Sequence, residues 1–235
     1  MSKRNLFYIF IGAIIVVVLG FIAGNIIHNK PAGEPIEFSV APPVYNKPIE
    51  PSAVSVPRTG LYSDEVIFGF EKDASNWEIP DWCFKDDSYK GVNVSVSETF
   101  AKEGISSLAL MCDFSGEKWA TAYVEVQKYF DWTAYKAVSI DMFLPSEAPV
   151  GLKAKMILTI GRDWTWTEMI NSISLVPGKW TTITASIVPG SIDWRGAKIL
   201  DEFRADVRKL GVRIESNKAA YSSPVYIDNV RLEVK

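Results

Sequence analysis

The chain has 235 residues, enough for one well-buried domain and hardly for two, and a composition of 48% apolar and 23% charged residues excludes a wholly disordered protein. The net charge is −3; three of the 25 bases and none of the 28 acids lie in the first thirty residues, so the remainder is acidic and lacks the basic footprint that a phosphate backbone requires, which excludes nucleic acid as a partner. One histidine, His28, and two cysteines are too few for a histidine-based serine triad, a histidine-rich zinc site or an iron–sulfur centre.

Residues 6–27 carry no formal charge and, Asn25 apart, are built of Leu, Ile, Val, Phe, Ala, Gly and one Tyr. At about 1.5 Å per residue they reach roughly 33 Å, the thickness of a hydrocarbon core. The run is longer than the apolar region of a cleavable signal, and Phe21-Ile22-Ala23-Gly24-Asn25 makes a poor cleavage site without a lipobox cysteine, so residues 1–30 read as an uncleaved transmembrane signal anchor. Lys3 and Arg4 precede the span and only Lys30 closely follows it, which sets the amino terminus in the cytoplasm and the body in the periplasm or outside the cell. There Cys83 and Cys112 have either of two states open to them, a disulfide or two buried thiols. Asn93-Val94-Ser95 is a glycosylation sequon in a host that reads such sequons.

Residues 31–61 form a linker: seven of the thirteen prolines fall between Pro31 and Pro57, with few large apolar side chains. Such a stretch favours extended geometry and acts as a semi-rigid spacer. From about residue 62 the hydrophobic period becomes two, in short runs broken by Gly, Pro, Asp and Ser. Strands are expected over 66–71, 92–98, 106–113, 119–127, 137–143, 152–161, 164–173, 180–187, 211–216 and 225–234. Ile199, Phe203, Val207 and Leu210 recur at helical spacing and predict a turn or two of helix over 199–210. The fold expected is all-β, a two-sheet antiparallel jelly-roll sandwich over 62–235 behind a single transmembrane helix and a proline-rich linker.

Alternation assigns faces to these strands. In 119–127, Ala120, Ala122, Val124 and Val126 point inward, which leaves Trp119, Thr121, Tyr123, Glu125 and Gln127 on the other side. In 152–161, Lys153, Lys155, Ile157 and Thr159 lie opposite an apolar row, and Arg162, Trp164, Trp166 and Glu168 then share one face. Flat rings beside carboxylates, amides and guanidinium groups suit an uncharged polyhydroxylated ligand, since a pyranose offers a C–H face to a ring and a rim of hydroxyls to polar groups. Trp119, Tyr123, Glu125, Arg162, Trp164, Trp166 and Glu168 are the candidate ligand-binding residues. Trp132 and Trp180 read as core filler, and Trp77, Trp82 and Trp194 lie in loops that line a cleft or cover an edge.

Phe68-Gly69-Phe70-Glu71, Gly104-Ile105-Ser106-Ser107-Leu108, Pro177-Gly178-Lys179-Trp180 and Val225-Tyr226-Ile227-Asp228-Asn229-Val230, in this order and spacing, resemble a carbohydrate-binding module of the galactose-binding-like jelly-roll superfamily. The resemblance covers residues 62–235. It implies a structural calcium where the first and last strands meet, with Glu71 and Asp228 as its carboxylates helped by backbone oxygens near 104–107; an ordinary strand-end pair with Lys or Arg is the alternative.

Three functions compete. The first is a membrane-tethered, non-catalytic module that binds a polysaccharide or other glycan. The second is an accessory subunit of a larger membrane-protein complex that uses the jelly roll to dock, with the same tryptophans as interface anchors. The third is a small glycosidase or lyase with paired acids among Glu125, Asp141 and Glu168, although no motif singles out an acid and its partner.

Overall fold

The computed structural model describes residues 64–235; the anchor expected at 6–27, the linker at 31–61 and the first two residues of the domain lie outside the described residues. Among the described residues no helix is long and apolar enough to cross a membrane. Twelve strands among the described residues build two sheets. The first contains β1 (Glu65–Phe68), β2 (Gly91–Ser97), β3 (Ser107–Phe114), β5 (Tyr135–Leu144), β9 (Lys179–Ser186) and β12 (Tyr221–Val234), in the order β2-β3-β12-β5-β9 with β1 alongside β12. The second contains β4 (Trp119–Phe130), β6 (Lys153–Ile160), β7 (Thr165–Met169), β8 (Ile173–Ser174), β10 (Trp194–Arg195) and β11 (Val207–Asn217), in the order β10-β7-β6-β11-β4 with β8 against β6.

The pairings within both sheets are antiparallel, so each strand alternates between a core-facing and an outer row. Leu108, Leu110, Val138, Ile140, Met142, Ile183, Val225 and Ile227 from the first sheet meet Ala122, Val124, Val126, Ala154, Met156, Leu158, Val212 and Ile214 from the second in one continuous core. This is the expected two-sheet sandwich.

The expected helix over 199–210 is shorter than its pattern. Only α1 (Asp201–Arg204) is helical, and Val207 and Leu210 belong to β11. Register shifts between Val207 and Lys209 on both sides of β11, and this irregularity lets two residues three apart both be buried as core, a spacing otherwise typical of a helix. The run 164–173 likewise divides into β7 and β8, with Trp164 in the preceding turn at φ 53°. Trp132 is core as expected, but Trp180 is not: it stands half-buried against Phe143 on the outer side of the first sheet, because β9 turns its even-numbered residues outward.

Cys83 and Cys112 are both free and buried, which corrects the disulfide alternative. Cys83 sits in a one-turn 3-10 segment (Cys83–Lys85) near Glu125 and Asp86, whereas Cys112 is in β3. Burial, helped by those two acids, pushes the Cys83 thiol up to about 12, and burial alone raises Cys112 further. Both thiols stay protonated at neutral pH and behave as small apolar core residues.

Candidate functional site

The outer face of the second sheet gathers most of the side chains singled out above. Its register sets Tyr123, Arg213 and Lys155 in one row, Glu125, Gly211, Ile157, Glu168 and Arg195 in the next, and Gln127, Lys209, Thr159 and Trp166 in a third. Glycine at 211 is what lets the second and first rows touch. A Cβ there would fall 2.3 Å from the Tyr123 hydroxyl and 2.6 Å from its ring, so the phenol lies flat across the β11 backbone only because that side chain is missing.

The segment joining β1 to β2 supplies a further ring. It laces along the edge of β4 through the Glu78–Glu125 and Tyr89–Thr121 bridges and carries Trp82 over the sheet between them. The Trp82 ring lies 5.5 Å from Tyr123, 4.9 Å from Tyr89 and 6.2 Å from Trp166, and Tyr123 lies 5.6 Å from Trp166. Tyr123 is buried beneath its neighbours, while Trp82 and Trp166 each keep 39% of their surface open to solvent. The pattern at 80–90 contains no strand, so alternation did not assign Trp82 to this face.

Around the rings runs a charged network. Glu168 accepts from Arg195 Nε at 2.6 Å and lies 2.7 Å from Arg213 Nη2 and 3.8 Å from Lys155 Nζ. Glu215 joins it 3.0 Å from Arg213 and 3.7 Å from Lys155, and accepts from Ser172 Oγ at 2.7 Å. Burial of Glu168 works against its ionisation, but Arg195, Arg213 and Lys155 outweigh that and hold its carboxyl below the usual carboxylate range. Glu125 accepts from the Tyr123 hydroxyl at 2.8 Å and from Lys209 Nζ at 2.5 Å. Burial first, then the adjacent Glu125, raises the Tyr123 phenol well above its ordinary value, so it remains a hydroxyl donor. Lys209, Arg213 and Glu215 were readable as the row of β11 opposite Val212 and Ile214.

The remaining candidates stand apart from this centre. Trp119 begins β4 on the same face, four residues before Tyr123 and roughly 14 Å along the strand, and is exposed. Arg162 and Trp164 occupy the turn between β6 and β7; Trp164 is exposed, and Arg208 stacks over its ring at 4.9 Å and over Tyr129 at 5.5 Å. Asn76, Trp77, Glu78 and Gln127 line a hollow of about 350 Å³ beside the edge of β4.

The three acids weighed for catalysis fall on both sheets. Asp141 lies on the first sheet, 2.8 Å from Arg231 and 2.9 Å from Asn229 Nδ2. Glu125 and Glu168 share a row three strand spacings apart, and each carboxylate is taken up by its own partners, Tyr123 and Lys209 for Glu125 and Arg195, Arg213 and Lys155 for Glu168.

Glu71 and Asp228 do converge, on the loop 102–105. Glu71 accepts the Ile105 amide at 2.9 Å, and Asp228 accepts those of Lys102 at 2.7 Å, Glu103 at 3.2 Å and Asn229 at 2.6 Å. Gly104 adopts φ 65°, and a Cβ there would strike the Glu71 carboxylate. Burial and then Glu71 raise Asp228 while the three amides that it accepts pull it down, with a net rise. Neither acid forms an ion pair among the described residues, in contrast to the strand-end pair with Lys or Arg, and the buried Asn229 Oδ1 beside them has no hydrogen-bond partner. Two hard carboxylates without a cationic partner and an orphaned amide oxygen fit the chemistry calcium takes, although no group of three acidic, histidine or cysteine side chains gathers among the described residues.

No protein-family model matches the sequence, and no curated relative does. Solved structures do. The carbohydrate-binding module CBM27-1 of Caldicellulosiruptor saccharolyticus, solved in complex with mannohexaose, superposes with a TM-score of 0.52 at 25% identity over 73% of this chain and 98% of its own. An exo-β-agarase superposes at 0.50 with 15% identity over 73% of this chain and 25% of the agarase, a likeness of fold alone. The described residues carry the two-sheet β-sandwich jelly-roll fold of carbohydrate-binding modules.

Proposed function

We propose that this protein is a non-catalytic glycan-binding module, tethered by residues 6–27 with its body outside the cytoplasm, that holds a polysaccharide chain against the outer face of its second sheet. The observation that carries this reading is the open Trp82–Tyr123–Trp166 cluster set within a hydrogen-bonding rim. The indole rings of Trp82 and Trp166 take the C–H faces of the sugars with Tyr123 as their support beneath, and Gln127, Lys209, Arg195 and the Glu168 network take hydroxyls. Much of that rim is already held by its own ion pairs, so it is preorganised and little ordering is needed on binding.

Mannohexaose is the first probe, because the similar module was solved with it. In calorimetry on the full chain, Trp166→Ala and Trp82→Ala each raise Kd at least about tenfold, or 1.4 kcal/mol, with Tm nearly unchanged. Unaltered affinity for mannan, xylan and cellulose in both variants rejects the reading. Calcium belongs to the same proposal: Glu71 and Asp228 would hold it and pin the loop 102–105 to the last strand. Added calcium then raises Tm, a chelator reverses the rise, and Asp228→Asn abolishes the response.

A docking role is favoured by one observation, the loop between β9 and α1, which exposes Val188, Ile192 and Leu200. A stoichiometric complex in mild detergent that Ile192→Asp dissolves would support it.

A further inference from the structure

The outer face of the second sheet is not neutral. The acids that its strands turn outward are Glu125, Glu168 and Glu215; the bases are five, Lys153, Lys155, Lys209, Arg195 and Arg213, without Arg208, which Asp206 holds. The face thus gathers positive charge on a chain whose acids outnumber its bases 28 to 25. Alternation along single strands suggested an uncharged ligand; the excess emerges only when β6, β10 and β11 are laid beside β4 and β7.

Two of these bases are uncommitted. Lys155 is 4% exposed, and its ammonium lies 3.8 Å from Glu168 and 3.7 Å from Glu215, too far for a hydrogen bond to either; no other acceptor reaches it among the described residues. Lys153 precedes it by two residues on β6, in the next row beside Glu215 and Thr121, and is exposed without an ion pair among the described residues. Both stand between two sets of rings: the Trp82–Tyr123–Trp166 cluster, whose Tyr123 shares the row of Lys155, and the exposed Trp119, one row beyond Lys153.

We propose that the chain held on this face is acidic: a polysaccharide whose sugars carry a carboxylate or a sulfate, set on Lys155 and Lys153 between the two ring platforms. The inference rests on the sheet-face reading and names its substrate class. A neutral sugar laid across these rows strips water from both ammonium groups and returns only hydroxyl contacts, whereas an anionic group returns charge-assisted bonds and balances the excess charge. Glu168 and Glu215 compensate the charge of Lys155 without filling its donors, so the ammonium is held ready for an acceptor from outside the sheet. A free anion lacks a site here because the same two acids oppose it; the rings supply the remaining attraction, which restricts the class to charged sugars.

Calorimetry on the full-length protein, in a nonionic detergent without sugar headgroups and without added divalent metal, compares mannohexaose with its O6-sulfated derivative and with the mannuronate hexamer, which carries a carboxylate at C6 of each sugar. At least one of the charged chains binds about tenfold or more tightly than mannohexaose, and which one it is names the group as carboxylate or sulfate ester; the margin narrows as NaCl rises from about 0.05 to about 0.5 M. Lys153→Gln removes about threefold or more of the margin, and Lys179→Gln, the same change of charge on the first sheet, removes none. Neither charged chain binding more tightly than mannohexaose, a margin that Lys153→Gln leaves whole, or one that Lys179→Gln reduces equally overturns the proposal. Each of these outcomes leaves the sheet-face reading standing, since that reading fails instead when Trp82→Ala and Trp166→Ala change the affinity for none of the three.

Discussion

The outer faces of the two sheets both carry aromatic rings, and they use them differently. On the first sheet Phe100 folds over Phe143 and Tyr226, 4.3 and 5.0 Å between centroids, and Trp180 closes the other side of Phe143 at 5.4 Å. Phe143 and Tyr226 are buried there, and the polar group beside them, Asp141, is consumed by Arg231, Asn229 and Thr182. On the second sheet the backbone of the crossing segment bridges only to the edge strand β4 and lays Trp82 over the sheet, so Trp82 and Trp166 stay partly open and the charged row beside them reaches solvent through Arg195, whose side chain is 60% exposed. Outward alternation is therefore necessary for a binding face but does not suffice; what decides is whether the next connection in the chain lies across the rings or beside them.

The difference can be broken from either side. Phe143→Ala empties a ring-sized space beneath Phe100 and Trp180 and should cost about 3 kcal/mol, lowering Tm by roughly 6 to 12 °C in calorimetry, while affinity for mannohexaose in the folded protein does not change. An equal loss of affinity would mean that the first face also binds.

Glu168→Gln should cost about 2 kcal/mol at neutral pH, less than in a fully enclosed pair because Arg195 is largely solvated. Its dependence on pH identifies the cause. The folded-state pKa of Glu168 is depressed, so its contribution is present above the unfolded value near 4.5 and fades as pH falls through the lower folded value. Urea melts of the two proteins should therefore differ most near pH 7 and converge toward pH 3; a constant gap would point to packing as the source.

The smallest change in stability is expected of Gly211→Ala, about 1 to 2 kcal/mol, because the Tyr123 side chain can swing away from the new methyl group. Its effect on binding should be disproportionate, since tilting Tyr123 moves the ring against which Trp82 and Trp166 rest. Retention on mannan that stays the same in Gly211→Ala would show that the positions of Trp82 and Trp166 do not depend on the phenol beneath them.

The sequence made some of this legible and hid the rest for identifiable reasons. Strand alternation set Tyr123, Glu125, Trp166 and Glu168 on one face because β4 and β7 are regular there. It misplaced Trp164, since a positive φ in the turn breaks the two-residue count just before β7 begins. Trp180 read as interior because its strand neighbours Ile183 and Ala185 are interior, yet it belongs to the alternate row. Trp82 was out of reach of periodicity altogether: its place on the face depends on two bridges to β4 that join residues far apart in the chain, Glu78 to Glu125 and Tyr89 to Thr121. The four short motifs that mark the superfamily served better for the fold than for the site, because turn and strand-end residues repeat where loops and faces diverge.

Strand β12 runs through the middle of the first sheet, with β5 on one side and β3 and β1 on the other. A nascent chain that has not yet delivered residues 221–234 therefore exposes the bare hydrogen-bonding edges of β3 and β5 and half of an uncovered core. Such a body gains little by collapsing before β12 is made, and a chaperone that shields open strand edges until residues 221–234 emerge would raise its yield more than one that accelerates local turns.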